Sequence, residues 1–255
     1  MIHENRLRAG SFGDDAEQYD RARPSYAPAL VDDLLADGAR RVVDVGCGTG
    51  IVSRLFVARG CDVVGVEPDE RMAAVARRHG LRVESATFET WDAGGEPFDL
   101  LVSGQAWHWV DPAAGPAKAA AVLRPGGRFG VFWNVYAHEP AVAAAMRAVY
   151  KSVAPGLLED SIVLGTFRSA PVAEADAAWL APYGFGDVAH RSYPWEHVYS
   201  RDEWLDQLPT HSDHRLQQPD VLDTVIAGIG AVIDDFGGSI TVQHATRLLT
   251  AVRAS

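Results

Sequence analysis

The sequence predicts an α/β fold built on a mostly parallel sheet, and three observations carry that prediction. Apolar runs of strand length alternate with alanine-rich runs of helix length through the first half of the chain. A glycine loop, with Gly46, Gly48 and Gly50, follows the first apolar run directly. The second apolar run ends in an acid, Glu67, 21 residues beyond Gly46.

In order, strands are expected over residues 41–45, 62–67, 82–86, 98–103 and 127–133, with a weaker run at 187–193. The helix-forming stretches 52–59, 72–79 and 113–123 separate the first five, which is the alternation of a parallel sheet with right-handed crossovers. A last strand is expected over about 239–252, although its second half, ATRLLTAVR, also reads as helix. Two segments exceed the sheet: 135–184, with a helix near 140–153, and 200–238, with helices at 201–208 and 221–236. They are expected to be substrate caps on a single domain spanning 1–255. Residues 11–28 precede the first strand and carry Tyr19, Arg21, Arg23, Pro24 and Tyr26 with little apolar periodicity. They are expected to form a lid, within 1–30, over the bound cofactor.

Of the 255 residues 47% are hydrophobic and 22% charged, an ordinary globular balance that supports a substantial core. The net charge of −11, from 23 basic against 34 acidic side chains, repels a phosphate backbone, so nucleic acid is not the expected partner. The only cysteines are Cys47 and Cys61, in the loop and beside the second strand, which argues against a disulfide framework and fits a reducing cytoplasm. No apolar run reaches the ~20 residues of a membrane helix, and the first ten residues lack the apolar core of a signal peptide. A soluble cytoplasmic protein without a membrane partner is expected.

Glycines after an apolar strand let the backbone turn sharply and approach a ligand where any Cβ would collide, which suits an adenosine-like group. The dinucleotide fingerprint is broken, because Ile51 follows Gly50 and Asp44 has no part in that fingerprint. The pattern of Asp44, Gly46, Gly48 and Gly50 resembles motif I of class I S-adenosylmethionine-dependent methyltransferases. The segment FDLLVSGQAWHWVDP resembles a small-molecule branch similar to trans-aconitate methyltransferases. LRPGGRF at 123–129 and F-G-x-x-A-x-x-Y-x-x-x-R-P-x-Y at 12–26 extend the resemblance over nearly the whole chain. It implies a Rossmann-like sheet of seven strands, mostly parallel with the last antiparallel, helices on both faces, and inserted helical caps. The implied reaction is methyl transfer from S-adenosylmethionine to a small organic molecule at a hydroxyl or carboxylate oxygen.

The cofactor-binding residues expected on this reading are Tyr19, Arg23, Asp44, Gly46, Cys47, Gly48, Gly50, Glu67, Pro68, Met72, Thr87, Phe88 and Gln105. Glu67 at a strand's C-terminal edge suits the two ribose hydroxyls; Met72 packs either on adenine or in the core. Thr87 occupies the place where relatives carry an acid, leaving the Phe88 backbone and ring to meet the adenine, with Glu89 capping a turn. Residues 103–107, past the fourth strand, fall at the switch point of the sheet. His108, with a reference pKa of ~6.5, is the candidate general base, its alternative being a structural histidine. Trp107, Trp109 and Trp133 are candidates to face a sulfonium and shape the acceptor pocket, or else to pack. His211 and Ser212 are candidate acceptor contacts, or part of a solvated helix-end cluster with His214. An in-line displacement draws most of its catalysis from holding the reacting atoms collinear at ~3–3.5 Å, so no triad is needed. The scattered histidines lack metal-ligand spacing, and no metal is expected. Two other readings stay open: a noncatalytic S-adenosylmethionine-binding protein, and a nicotinamide-dependent oxidoreductase, against which Ile51 and Asp44 argue.

Overall fold

The computed structural model describes residues 10–158, 163 and 177–254. In chain order the elements are α1 (Ala16–Ala22), α2 (Pro28–Leu34), β1 (Arg41–Val45), α3 (Ile51–Val57), β2 (Asp62–Val66), α4 (Glu70–Arg78), β3 (Arg82–Glu84) and β4 (Phe98–Gly104). There follow α5 (Ala114–Val122), β5 (Leu123–His138), α6 (Pro140–Val153), β6 (Phe185–Ser200), α7 (Arg201–Gln207), α8 (Ser212–Arg215), α9 (Pro219–Asp235) and β7 (Ser239–Arg253). The valine-rich runs of β1 and β2 bury both faces, which is what central parallel strands require.

The sheet has seven strands in the order β3-β2-β1-β4-β5-β7-β6. Its first five strands pair in parallel, and β7 runs antiparallel between β5 and β6. The chain leaves β1 toward β2 and β3, then returns to place β4 on the other side of β1. That reversal opens a crevice at the carboxyl ends of β1 and β4.

Strand alternation divides the core in two. Val43, Val64, Leu101, Phe129 and Trp133 pack on one face with Trp91, Trp107 and Val122. Val42, Val63, Leu100, Val102 and Phe132 pack on the other, against Leu30, Leu34, Val52 and Phe56. Each large aliphatic side chain buried this way stabilises the fold by about 1.5–3 kcal/mol. A third cluster, with Tyr136, Met146, Trp204, Ile229 and Val242, joins α6, α7 and α9 to the far halves of β5 and β7. α6, α7 and α9 are thus packed onto strands that project past the end of β4.

The structure departs from the expected boundaries in physically readable ways. β5 continues beyond residue 133 because Val135–His138 pairs with β7, so the first four residues of the expected 135–184 cap belong to the sheet. β6 covers 185–200 rather than 187–193, and Pro194 does not stop it: on an edge strand one side needs no backbone donor. The helical alternative for residues 245–253 fails because that segment is paired on both sides. α2, with Pro28 at its start, was not among the expected helices. Residues 159–162 and 164–176, within the expected first cap, lie outside the described residues.

Candidate active site

β1 delivers the chain into the glycine loop, where Gly46 has φ +67 and donates its N–H to the Val66 carbonyl at 2.8 Å. A Cβ on Gly46 would lie 2.5 Å from the Cβ of Ala106, in the loop after β4, so only glycine lets the two strand ends approach. Gly50 answers a different demand. It precedes α3 at φ +87, and its Cβ would meet Leu81 at 2.1 Å, so packing against the following crossover selects it.

Glu67 lies just past β2, 8% exposed, and both its carboxylate oxygens accept backbone donors: Oε2 from Gly48 N–H and Oε1 from Asp69 N–H, each at 2.9 Å. The carboxylate is therefore fixed against the loop while each oxygen keeps a lone pair for a further donor. Burial pushes its pKa up to about 7, against the pull of those two N–H groups. Asp44 lies below the loop, 1% exposed, with Oδ2 accepting the Ser53 hydroxyl at 2.6 Å and Oδ1 left without a partner. Burial raises it to about 7 as well, the Ser53 contact only partly offsetting it.

Above these groups is an open cleft. Gly46 and Gly48 form its floor, and Glu67, Pro68 and Met72 one wall. Thr87 and Phe88 come from the loop after β3, Gln105 from the end of β4, and Tyr19 from α1. Gln105 has φ +57, a costly conformation for a residue with a side chain, held by its N–H to the Phe132 carbonyl at 2.9 Å. Glu89 accepts the Asp111 N–H at 2.7 Å and so ties the loop after β3 to the loop after β4.

Several expected residues sit elsewhere. Cys47 is turned into a small apolar cluster with Ala73, Ala76 and Leu81, and Gly50 faces Leu81, so neither belongs to the wall. Asp44 supports the loop from beneath. Arg23 lines a second cavity, between α1 and β6, and donates to the Thr210 carbonyl at 2.7 Å. Of the three tryptophans only Trp109 lines the cleft, where it meets Phe12 edge-on at 6.2 Å. Trp107, at the start of a 3-10 turn, points into the core and meets Phe129 at 4.8 Å, and Trp133 is wholly buried on β5. The Trp133 indole N–H donates to Nδ1 of His108 at 3.4 Å, which occupies the lone pair at which the neutral ring would accept a proton. His211 and Ser212 are buried rather than part of a solvated cluster, with His211 beside Gln207 at 3.3 Å.

Sequence reasoning missed Phe12, Asp69 and Val110 in the cleft. Asp69 had a readable signal, an acid just before a helix: it caps α4 by accepting the Arg71 N–H. Among the described residues no three or more His, Cys, Asp or Glu side chains are grouped to hold a metal ion, and no helix is long and apolar enough to cross a membrane.

Comparison with known proteins gives this arrangement relatives. A methyltransferase-domain family matches residues 42–127, the stretch from β1 to the start of β5. An uncharacterized methyltransferase of Mycobacterium tuberculosis is 44% identical over 126 residues, covering 49% of this chain and 52% of the relative. A ubiquinone biosynthesis O-methyltransferase of Hahella chejuensis is 36% identical over 105 residues, 38% of this chain and 44% of its own length. The chain thus spans about half the length of the curated relatives it matches. A structure described as a type II methyltransferase, from Anaeromyxobacter dehalogenans, superposes with a TM-score of 0.65 at 24% identity, over 89% of this chain and 97% of that one.

Proposed function

We propose, from the premise that residues 42–127 are a methyltransferase domain of the class I fold, that this chain transfers a methyl group from S-adenosylmethionine to an oxygen of a small organic molecule. The observation that carries the reading is Glu67, locked by Gly48 and Asp69 N–H groups at the edge of a glycine-floored cleft. The residues present fit such a donor. The Glu67 oxygens retain capacity for two hydroxyl donors, and glycines at 46 and 48 leave the floor of the cleft without side chains. When bound, the donor supplies an electrophilic methyl on a sulfonium.

The chain's own residues have positional work. Glu67 takes the ribose hydroxyls; Thr87 and Phe88 border the base; Gly46 and Gly48 admit the ligand backbone; Gln105 and Tyr19 close the methionyl end. Trp109 offers an aromatic face to the cationic sulfur. Orientation of this kind supplies much of the rate in a single displacement. Oxygen is preferred as the acceptor atom because one partial relative is an O-methyltransferase, and an ionised carboxylate needs no base while a hydroxyl would use His108. Because the Trp133 indole N–H donates to Nδ1, neutral His108 carries its proton on Nε2, and a hydroxyl acceptor would use it as a base only at Nδ1, once the Trp133 contact is given up.

Calorimetric titration with S-adenosylhomocysteine tests the donor assignment without knowledge of the acceptor. One-site binding is expected, weakened about 10–100-fold in Glu67→Ala, the scale of lost hydrogen bonds to a charged group. Equal affinity in that variant would contradict the role given to Glu67, and absence of binding to the folded wild type would overturn the reading.

A further inference from the structure

Asp14, Glu17 and Asp20 stand three residues apart in the segment before β1, and the donor machinery uses none of them. Each meets a basic side chain from the region that follows the glycine loop. Arg71 on α4 donates to Asp14 Oδ1 at 2.7 Å, and Arg78, two turns further along α4, pairs with Glu17. From α3, Arg54 donates to both oxygens of Asp20, at 2.8 and 3.1 Å, and His79 Nε2 lies 2.9 Å from the same carboxylate. A small apolar cluster backs this row: Ala16, Met72 and Val75 are buried, with Phe12 and Tyr19 packed against them. Phe12 and Tyr19 also border the donor cleft, so the segment that these ion pairs hold is part of the cleft wall.

Arg71 differs from the other bases in what else it touches. Its Nη2 donates to the Gly10 carbonyl at 2.7 Å, and its Nε and Nη2 donate to the two oxygens of Asp69 at 3.0 and 2.7 Å. Asp69 in turn gives its backbone N–H to Glu67 Oε1 at 2.9 Å. One guanidinium therefore joins the N-terminal segment to the residue that supports the Glu67 carboxylate. The Arg71 guanidinium beside Asp69 holds that carboxyl below its usual value, so it is ionised and bound at neutral pH. The approach is close: a Cβ on Gly13 would lie 2.2 Å from Asp69 Oδ2, so the backbone of the segment rests directly on this carboxylate. A single exposed ion pair holds little, but a guanidinium fork that reaches three residues at once keeps more of its effect. Arg71 is about half exposed, so dissolved salt reaches these contacts and screens them.

We propose that Arg71 is a positioning residue for the donor site: it latches the N-terminal segment onto Asp69, and this latch sets how long a bound donor stays. The donor leaves once Phe12 and Tyr19 draw back, and the segment that carries them must first part from Arg71. Gln18 and Arg21 on α1 are bound to Asp206 of α7, so the segment opens by lifting its leading end, residues 10–15, while the end of α1 stays attached. The identity of the ligand rests on the methyltransferase reading; the latch itself does not.

The test follows release of S-adenosylhomocysteine from the full chain by stopped-flow tryptophan fluorescence at about 0.1 M and about 1 M NaCl, between which the Debye length falls from about 10 Å to about 3 Å. Wild type is expected to release the ligand faster at the higher salt. Arg71→Gln is expected to release it about threefold to tenfold faster than wild type at the lower salt, and to respond less to salt. Arg71→Lys, which restores the charge without the fork, is expected to fall between the two. Arg124→Gln, which removes the ion pair with Asp99 away from the segment, is expected to behave as wild type. A general loosening of the fold would speed release without flattening the salt response. In the free chain, amide hydrogen exchange over residues 12–20 is expected to quicken in Arg71→Gln and not in Arg124→Gln. If Arg71→Gln does not fold, Asp14→Asn takes its place with the same expectations, since it removes the partner on the segment and leaves Asp69 and α4 intact. A wild-type release rate and salt response in the variant overturn the inference. Should wild type not bind S-adenosylhomocysteine, the donor reading fails and exchange alone decides the latch: faster exchange in the variant keeps it, and unchanged exchange overturns it.

Discussion

Asp44 and Glu67 are the two acids nearest the glycine loop, and burial raises both to about 7. The folded chain therefore holds protons that the unfolded chain, with ordinary values of 3.8 and 4.5, has shed, so each group's contribution to stability falls as pH rises from about 4 to about 7. Buried histidines such as His244, lowered to about 3 by burial, act in the opposite direction, and a single pH profile mixes the two. The informative quantity is a difference. Asp44→Asn should gain stability relative to wild type between pH 5 and pH 8, by about 2.5 kcal/mol, as measured by denaturant unfolding. A constant difference across that range would show that Asp44 is ionised throughout. At this scale the site was legible where spacing alone fixes position: Gly46, Gly48 and Glu67 are where the sequence suggested. It was not legible where direction matters. Trp107 and Trp133 differ from Trp109 by the turn of a 3-10 segment and the parity of a strand, and neither shows in residue type.

At the scale of elements, the sheet's extension past β4 turns on Asn134. Its amide ended the apolar run in the sequence, and so β5 was expected to stop at residue 133. The structure satisfies that amide entirely: Nδ2 donates to the Ser25 carbonyl at 2.9 Å and Oδ1 accepts the Thr246 hydroxyl at 2.6 Å. Partners on the neighbouring strand β7 and on the segment between α1 and α2 let a polar residue sit inside the strand, and only the fold supplies them. Among the helices that cover this extension, α7 begins at Ser200, whose hydroxyl accepts from Glu203 N–H while the Glu203 carboxylate accepts the Ser200 N–H, a reciprocal capping box. Ser200→Ala should cost about 1 kcal/mol in denaturant unfolding. A cost near zero would mean that packing of Trp204 and Leu208 alone holds α7 in place.

Across the whole molecule, the parts assemble around one reversal of strand order. Parallel strands β1 and β4 bring the glycine loop and Gln105 together, β2 adds Glu67, and the loop after β3 adds Thr87 and Phe88. Phe12 and Tyr19 border the cleft, and α1 is joined to α7 through Arg21 and Gln18 on Asp206. This alternation of strand and helix was legible because it is local and repeated; the buried polar cluster of Arg23, Tyr136 and Gln207 was not, since its residues come from the end of α1, β5 and α7, far apart in sequence. The central claim is that the glycine-floored cleft receives the donor. A crystal structure grown with saturating S-adenosylhomocysteine tests it most directly. The account predicts the nucleoside over Gly46 and Gly48, its ribose hydroxyls on the Glu67 carboxylate and its base beside Phe88. An empty cleft, or the ligand seated anywhere else, would contradict it.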